Sequence, residues 1–582
     1  MIITRFNNGL IKFSPEGKAE AKSLRKFPGL LSFGLEKYCV SKPHVVTNLV
    51  ERLQARGFKP KLDADTHALV HGTFKLRPIP EGFVFLTDPL EHQVLALRFL
   101  LTVGCAGLLL EAGMGKTKII LDYIALQCFN KTLIIAPKAL LFVWEDEVAK
   151  HRHDKTVYVV KTTDWESEKE GILKADIVVV NYSKAVLLES QLCSIPWDYL
   201  NVDEFLIKDP TSLRTNSITK IGEQIKYKTG ASGTLVNNTP LDVFAPVRFL
   251  EPSLTGTSYA NFRDEYSVVK EAIKQNGDSY RAIVGFRKQP EVKSILHSCS
   301  IVMTKEQWLK NLPSKKFVDV QTYITDEQRE HYHNIAGNYI TKIGDRYVEV
   351  DNPLTVLCKL LQIANGFLYL TDNSEELEWM GVSEKKPKKA KREIHFFEHQ
   401  PKAERLIELL SNELVNRRAI IWYNLYAERL IIEKHLAAKG IPYLVIAGGE
   451  KDTGGKVKEF NSSNKYHVLL CQAKSVNYGV TVLGSKPELL EGEDVEAIPD
   501  VDTEVYTQIF YSLSFSLEVY LQQQDRTHRI GQTRECEYYH ILSNSPIERD
   551  LVKKLKDKLL LREDFLTDIA KQYGDTLLAG PS

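Results

Sequence analysis

The chain is 582 residues long, 43% hydrophobic and 26% charged, with 76 Lys+Arg against 75 Asp+Glu. That length implies several domains, on the order of three or four, and the composition is that of a soluble globular chain with a large core. The near-zero net charge excludes a global electrostatic field for nucleic acid, so any such surface must be a local patch. The 8 cysteines form no Cys-x-x-Cys and no Cys/His cluster, which argues against zinc and disulfides and fits a reducing cytosol. No long apolar segment follows Met1–Phe6, so no signal peptide is expected, and no apolar run approaches membrane-spanning length.

Residues 1–88 read as a small, separate α+β accessory module. Ile2–Phe6 and Leu10–Phe13 are short strands around the Asn7-Asn8-Gly9 turn, and Pro43–Ala55 is an amphipathic helix with Val46, Leu49, Val50 and Leu53 on one face. From Leu90 the pattern becomes alternating apolar strands and helices, the signature of a parallel α/β sheet. A helix opens at Leu90 and carries Gln93, whose amide could read an adenine edge but could equally be solvated.

The buried-strand run Ala106–Leu110 leads into Glu111-Ala112-Gly113-Met114-Gly115-Lys116-Thr117, and a helix follows from Lys118. Strand, glycine loop, Gly-Lys-Thr and helix are what a phosphate-binding loop needs. Gly113 and Gly115 would let backbone N–H groups close round phosphate oxygens, Lys116 would reach the outer phosphates, and the Thr117 hydroxyl would ligate Mg²⁺. The usual first glycine of such a loop is Leu110 here.

Thr132–Lys138 and Asp176–Tyr182 are further strand-to-loop junctions, and the helix after the first carries Trp144. Tyr199–Val202 is an apolar strand ending in Asp203-Glu204. Asp203 would hold Mg²⁺ and Glu204 would orient and deprotonate water, although such a strand end taken alone is as readily a solvated one. Lys228–Thr234 ends in small and hydroxyl residues suited to a loop that senses the metal–phosphate site.

Residues 251–300 read as a helical insertion, closing a first lobe over 89–315. Thr325–Gly344 and Pro353–Asn365 are helices of a linker over 316–400, which includes the basic run Lys385–Arg392. A second α/β lobe spans 401–563, with strands Arg418–Tyr423, Tyr443–Ile446 and Val468–Cys471 and a long acidic loop over Gly484–Glu504, before a tail over 564–582. Last comes Gln522–Gln532, where Arg526 and Arg529 are expected on one helical face and suit a developing γ-phosphate charge.

Together these motifs resemble the Swi/Snf-type branch of superfamily-two helicases, the ATP-driven DNA translocases, from about Leu90 to Lys558. His528-Arg529-Ile530-Gly531-Gln532 carries most of the resemblance, with Asp525 before it. Ser232-Gly233-Thr234, Asn237-Asn238 and Phe249-Leu250-Glu251-Pro252 resemble the third motif, Ile207–Ser212 the loop after the Asp-Glu-Ala-His box, and Leu360–Asn365 the helix before the second lobe. Gln93 stands where the family's adenine-reading glutamine stands. The chain departs at Phe205-Leu206, where the family has Ala-His, and in motif five, where Val476-Asn477 and Thr481 replace Gly-Gly and asparagine while Gly479 and Lys474 are kept. A fainter resemblance around Phe27-Pro28-Gly29 is to the accessory domains of annealing helicases.

The resemblance implies two tandem RecA-like parallel-sheet lobes, with the helical insertion and the N-terminal module added. It implies one ATP–Mg²⁺ held by Lys116, Thr117 and Asp203, near Gln93, Gly113, Gly115 and Gly479, with Glu204 positioning water and Arg526 and Arg529 arriving from the second lobe. It also implies a monomeric, cytoplasmic protein of a short bacterial or phage form, acting on double-stranded or branched DNA with no membrane partner. Lys138, Asn424 and Lys474 are the candidate contacts to DNA phosphates. The implied activity is ATP-dependent movement on duplex DNA, in replication, recombination or repair, by fork remodelling or strand annealing. The alternatives are a strand-separating DNA or RNA helicase, and an ATP-gated nucleic-acid-binding scaffold.

Overall fold

A computed structural model describes residues 2–7, 10–15, 18, 22, 31–33, 36–40, 43–71, 76–233, 239–273, 279–350, 353–370, 393–448, 452–473, 482–484, 502–557 and 559. They fall into two compact units that meet in sequence between Lys310 and Asn311.

The first unit is built on a seven-stranded sheet ordered Ser300–Met303, Cys105–Leu110, Tyr227–Ser232, Tyr199–Asp203, Thr132–Ala136, Ile177–Asn181, Val157–Val159. Every pairing in it is parallel. Cys105–Leu110, Thr132–Ala136, Ile177–Asn181 and Tyr199–Asp203 are buried at every position, as strands covered on both faces must be, and this is why they read as unbroken apolar runs. The sheet order matters for function. Two strands late in the sequence, Tyr199–Asp203 and Tyr227–Ser232, lie between the earlier Cys105–Leu110 and Thr132–Ala136, so only one strand separates Asp203 from the strand that feeds the phosphate loop.

The N-terminal residues are less separate than their sequence suggests. They form a five-stranded sheet in which Ile2–Asn7 and Leu10–Pro15 pair antiparallel, but the Pro43–Ala55 helix buries Val45, Val46, Leu49, Val50 and Leu53 in one core with Leu254, Phe262, Tyr266 and Ile295 of the first lobe. Buried Arg52 fastens this contact: Nε donates to Glu291 Oε1 (2.7 Å), one terminal nitrogen to the Leu254 carbonyl (2.9 Å) and the other to Tyr266 Oη (2.9 Å). Periodicity shows that a helix has an apolar face but not what the face meets. The turn Asn8-Gly9 and the segment Phe27–Gly29 lie outside the described residues.

The expected helical insertion over 251–300 holds helices, but also an antiparallel hairpin, Ser267–Ile273 with Ser279–Phe286, and the sheet strand Ser300–Met303. Likewise the expected helical linker begins with a strand. Lys315–Thr322 pairs with Cys536–Ser543 at the edge of the second unit's six-stranded parallel sheet, whose order continues Asp502–Phe510, Arg417–Tyr423, Val468–Gln472, Tyr443–Ile446. An edge strand keeps polar residues toward solvent, so Lys315–Thr322 lacks the apolar signature of its inner neighbours. The helix expected to reach Gly344 stops at Asn338, where Tyr339 turns left-handed at φ 60°, and a second hairpin follows over Ile340–Ile343 and Arg346–Glu349. The basic run Lys385–Arg392 and most of the acidic loop lie outside the described residues. Among the described residues no helix is long and apolar enough to cross a membrane, and no His/Cys/Asp/Glu group forms a ready metal cluster.

Candidate nucleotide-binding site

The fully buried strand Cys105–Leu110 delivers the chain to the glycine loop, and the Lys116–Leu126 helix leaves it. Gly113 and Gly115 have φ of 82° and 76°, the left-handed region that glycine enters freely. A Cβ on Gly115 would also displace the Gln93 side-chain amide, so a substitution there disturbs Gln93 as well as the backbone. The turn closes through Met114 N–H to the Glu111 carbonyl (3.3 Å).

Behind the loop stands the Glu91–Val103 helix. Its buried His92 places Nε2 2.8 Å from the Met114 carbonyl, and buried Gln93 donates to the same oxygen at 3.4 Å. Gln93 Oε1 meanwhile accepts from Leu90 N–H (2.9 Å), so the amide is oriented from both ends and retains one N–H and one lone pair for a ligand. Lys116 Nζ donates to the Leu110 carbonyl (2.9 Å), folding back over its own loop, and Thr117 stands half-buried beside it.

Asp203 closes the site from the Tyr199–Asp203 strand. Its carboxylate accepts from Trp144 Nε1 (3.0 Å) and from the Glu204 N–H (3.0 Å). Burial pushes this carboxyl above the ordinary carboxylate value, against the opposing pull of Lys116 and the two N–H donors. A buried carboxylate that burial makes costly to ionise fits a divalent cation, which would relieve that cost. Glu204 and Phe205 then take positive φ, 53° and 31°, a strain of about 1–2 kcal/mol per residue. Tyr182 holds this turn: its hydroxyl donates to the Asp203 carbonyl (2.6 Å) and accepts from Leu206 N–H (3.1 Å). Glu204 is left half-exposed between the buried Asp203 and Phe205.

Phe205 explains one departure from the family pattern. Its ring fills the space over Gly230, where a Cβ would collide with it, and meets Phe249 edge-on at 5.8 Å. The Asp-Glu turn therefore packs on the Tyr227–Ser232 strand through the Phe205 ring. That strand ends at Ser232-Gly233, where a Cβ on Gly233 would lie 3.4 Å from Ala112 N of the phosphate loop. Thr234 and Asn237-Asn238 lie outside the described residues.

Farther along the same sheet edge, Lys138 is exposed at the start of a short helix. Sequence reasoning missed its neighbours. Lys184 donates to the Val160 and Lys161 carbonyls (both 2.6 Å), and its amine is lowered mainly by burial and in part by the nearby positive charge of Lys138. Lys161 itself is exposed. The available signal was a lysine just past each strand end, at Lys138, Lys161 and Lys184. Trp144 and Tyr182 had been noted only as residues near loops; their bonds to Asp203 are visible only in three dimensions.

In the second unit the arginines are not on one helical face. The helix ends at Gln524, and Arg526 and Arg529 follow in successive turns. Two glutamine side chains, one on the Asp502–Phe510 strand and one just after Arg529, hold these turns. Gln508 Nε2 donates to the Gln524 carbonyl (3.2 Å) and Thr527 Oγ1 (2.7 Å) while its oxygen accepts from Trp422 Nε1 (2.7 Å). Gln532 Nε2 donates to the Thr527 and Val505 carbonyls (3.3 and 3.1 Å). Arg526 is buried, its Nε donating to the Gln522 carbonyl (2.8 Å), whereas Arg529 is half-buried.

Asn424 does not have the role expected of it. It is buried, and its Nδ2 donates to Ser512 Oγ (2.7 Å) and the Ser512 carbonyl (3.2 Å). It belongs to an interior network in which Glu428 accepts from Asn365, Ser512 and the Asn424 and Leu425 N–H groups. A side chain committed to the interior is a poor contact for a phosphate backbone. Lys474 and Gly479 lie outside the described residues.

Residues 48–366 match the family model described as the SNF2-related domain. The chain belongs to the SNF2-related family. Among curated proteins, this SNF2-related chain is 22% identical over 475 residues to an uncharacterized ATP-dependent helicase of Mycoplasma genitalium, covering 79% of this chain and 40% of that protein. It is 23% identical over 504 residues to an ISWI chromatin-remodeling complex ATPase of Arabidopsis thaliana, covering 81% of this chain and 42% of that one. The chain thus spans about two-fifths of the length of these relatives. Among solved structures, the Sulfolobus solfataricus SWI2/SNF2 ATPase core in complex with dsDNA overlaps 86% of this chain and 96% of its own, at 19% identity and a TM-score of 0.38.

Proposed function

We propose that this SNF2-related chain is a nucleic-acid-stimulated ATPase that couples hydrolysis to movement on duplex DNA. One observation carries the reading: the glycine loop with Lys116 and Thr117, the strained Asp203-Glu204 turn and Ser232-Gly233 all converge at one end of a single parallel sheet. Loop N–H groups and Lys116 bind the phosphates, and Gln93 orients the base. Thr117 and Asp203 are the residues that would hold Mg²⁺, which supplies charge neutralisation on the phosphates. Half-exposed Glu204 accepts a proton from the attacking water and orients it. Arg526 and Arg529 are the second unit's groups suited to charge developing on the γ-phosphate.

Movement on DNA is supported by the exposed lysines just past two strand ends of the same sheet, Lys138 and Lys161. Such contacts neutralise phosphates without reading bases, so binding should be sequence-independent and weaken steeply with salt. The names of the relatives, ATP-dependent helicase and chromatin-remodeling ATPase, favour the same chemistry. A role in replication, recombination or repair, on branched as well as plain duplexes and as a monomer, extends this reading. The test is steady-state ATP hydrolysis with blunt duplex DNA, forked DNA, single strands and RNA, followed by triplex displacement. Greater stimulation by duplex with triplex displacement is expected. Stimulation by single strands or RNA alone would replace the translocase with a strand-separating helicase, and no hydrolysis would leave an ATP-gated scaffold.

A further inference from the structure

The chain leaves the first unit through a segment that touches the phosphate loop twice. The Ser300–Met303 strand runs beside Cys105–Leu110 with Met303 opposite Leu110. Glu111 N–H donates to the Met303 carbonyl (3.3 Å), and Glu111 Oε2 accepts from the Lys305 N–H (2.7 Å). Lys305 opens a one-turn helix that ends at Trp308. The indole of Trp308 lies against the His92 ring, centroids 6.3 Å apart. Because a carbonyl can only accept, His92 Nε2 carries the hydrogen that bridges to Met114, and burial of the ring favours its neutral form. Lys310 closes the first unit and Asn311 opens the second.

The phosphate loop is thus tied at its first residue and at its middle to the segment that exits the unit. Phosphate binding does not need these ties; glycines and Lys116 suffice for it. Rearrangement of the loop N–H groups round a phosphate would reorient the Met114 peptide, and a close-packed contact passes such a shift on rather than absorbing it. We propose that the Lys305 amide and the Trp308 indole are positioning elements that report the state of the phosphate loop, through Glu111 and His92, to the chain entering the second unit. This rests on the ATPase reading above.

The Lys305 amide can be removed with little other change. Lys305 is the first helical position, where proline is tolerated, and Thr304 before it is already extended (φ −106°, ψ 153°), as a residue preceding proline should be. Lys305→Pro deletes the N–H given to Glu111, while Lys305→Ala loses the same side chain and keeps it. Trp308→Ala removes the ring contact, and Trp308→Phe retains an aromatic. ATP turnover with and without blunt duplex DNA, KM, and affinity for a fluorescent ATP analogue are measured for all four variants. Basal turnover and nucleotide affinity should stay within about twofold of the unaltered chain, while stimulation by DNA falls about fivefold or more in Lys305→Pro and Trp308→Ala only. Equal stimulation in Lys305→Pro and Lys305→Ala, or equal losses of basal and stimulated turnover in Trp308→Ala, would overturn the coupling. If the unaltered chain is stimulated by DNA and every variant is too, the coupling alone fails; if it hydrolyses no ATP, the underlying reading fails as well.

Discussion

The functional ends of the two sheets are built differently. In the first unit a loop of backbone does the work: Gly113 and Gly115 adopt left-handed φ, and the strained pair Glu204-Phe205 turns the chain beside a carboxylate that burial makes reluctant to ionise. In the second unit the Arg526–Arg529 turns are held by the side chains of Gln508, itself fixed by Trp422, and of Gln532 in the same segment. The first arrangement stores strain and desolvation where charge must be handled. The second spends side-chain hydrogen bonds to hold arginines still, which limits the entropy lost when they meet a ligand. A backbone-built site is sensitive to single atoms, and a side-chain-built site fails gradually as its supports are removed.

The sharpest break in this contrast is chemical. Lys116→Ala or Glu204→Gln should lower turnover by about a thousandfold or more with the fold retained by circular dichroism, because each removes a group that the proposed mechanism sets on the reacting phosphate or water. Retained DNA-stimulated hydrolysis would sink the site assignment. Arg529→Ala should follow, lowering kcat about a hundredfold with KM for ATP little changed, as for a group that acts chiefly in the transition state. An equal change in both would argue for ground-state binding instead.

Stability effects come next. Phe205→Ala should cost about 3–4 kcal/mol in denaturant unfolding of the first unit, since it empties a filled slot between Gly230 and Phe249 and unsupports a strained turn. Asn424→Ala should cost about 1–2 kcal/mol through the orphaned Ser512 and leave the salt dependence of DNA affinity untouched; a flatter salt slope would restore Asn424 as a phosphate contact. The smallest effect concerns Asp203. A carboxyl raised above its unfolded value contributes stability that is present at low pH and lost as pH climbs through the raised value. Asp203→Asn, though inactive, should therefore melt slightly higher than the unaltered chain at pH 7 in metal- and nucleotide-free buffer, with the gain vanishing in acid. A gain that grew toward acid would reverse the assigned cause.

Legibility followed the same division. The phosphate loop, the inner strands and Asp203-Glu204 could be read because glycine spacing encodes a backbone path and two-sided burial demands continuous apolar residues. The Lys315–Thr322 strand was missed because an edge strand shows half-polar alternation, and the Ser267–Phe286 hairpin because short apolar runs do not distinguish strand from helix. Arg526 and Arg529 were found as residues but misplaced on a helix, since nothing local announces that Gln524 ends it.

By itself, the sequence pointed to the chemistry: which groups are suited to phosphate, which carboxylates stand together, and that two parallel sheets carry them. Tertiary structure alone decided which polar side chains remain for a ligand. It consigned Asn424 to the interior, set Trp144 and Tyr182 on Asp203, laid the Phe205 ring over Gly230, and drew the N-terminal helix into the first unit's core. The reason is that a hydrogen-bonding group or an apolar face is used up by whatever the fold brings against it. Those neighbours lie on strands and helices far away in sequence, beyond the reach of local periodicity or motif spacing.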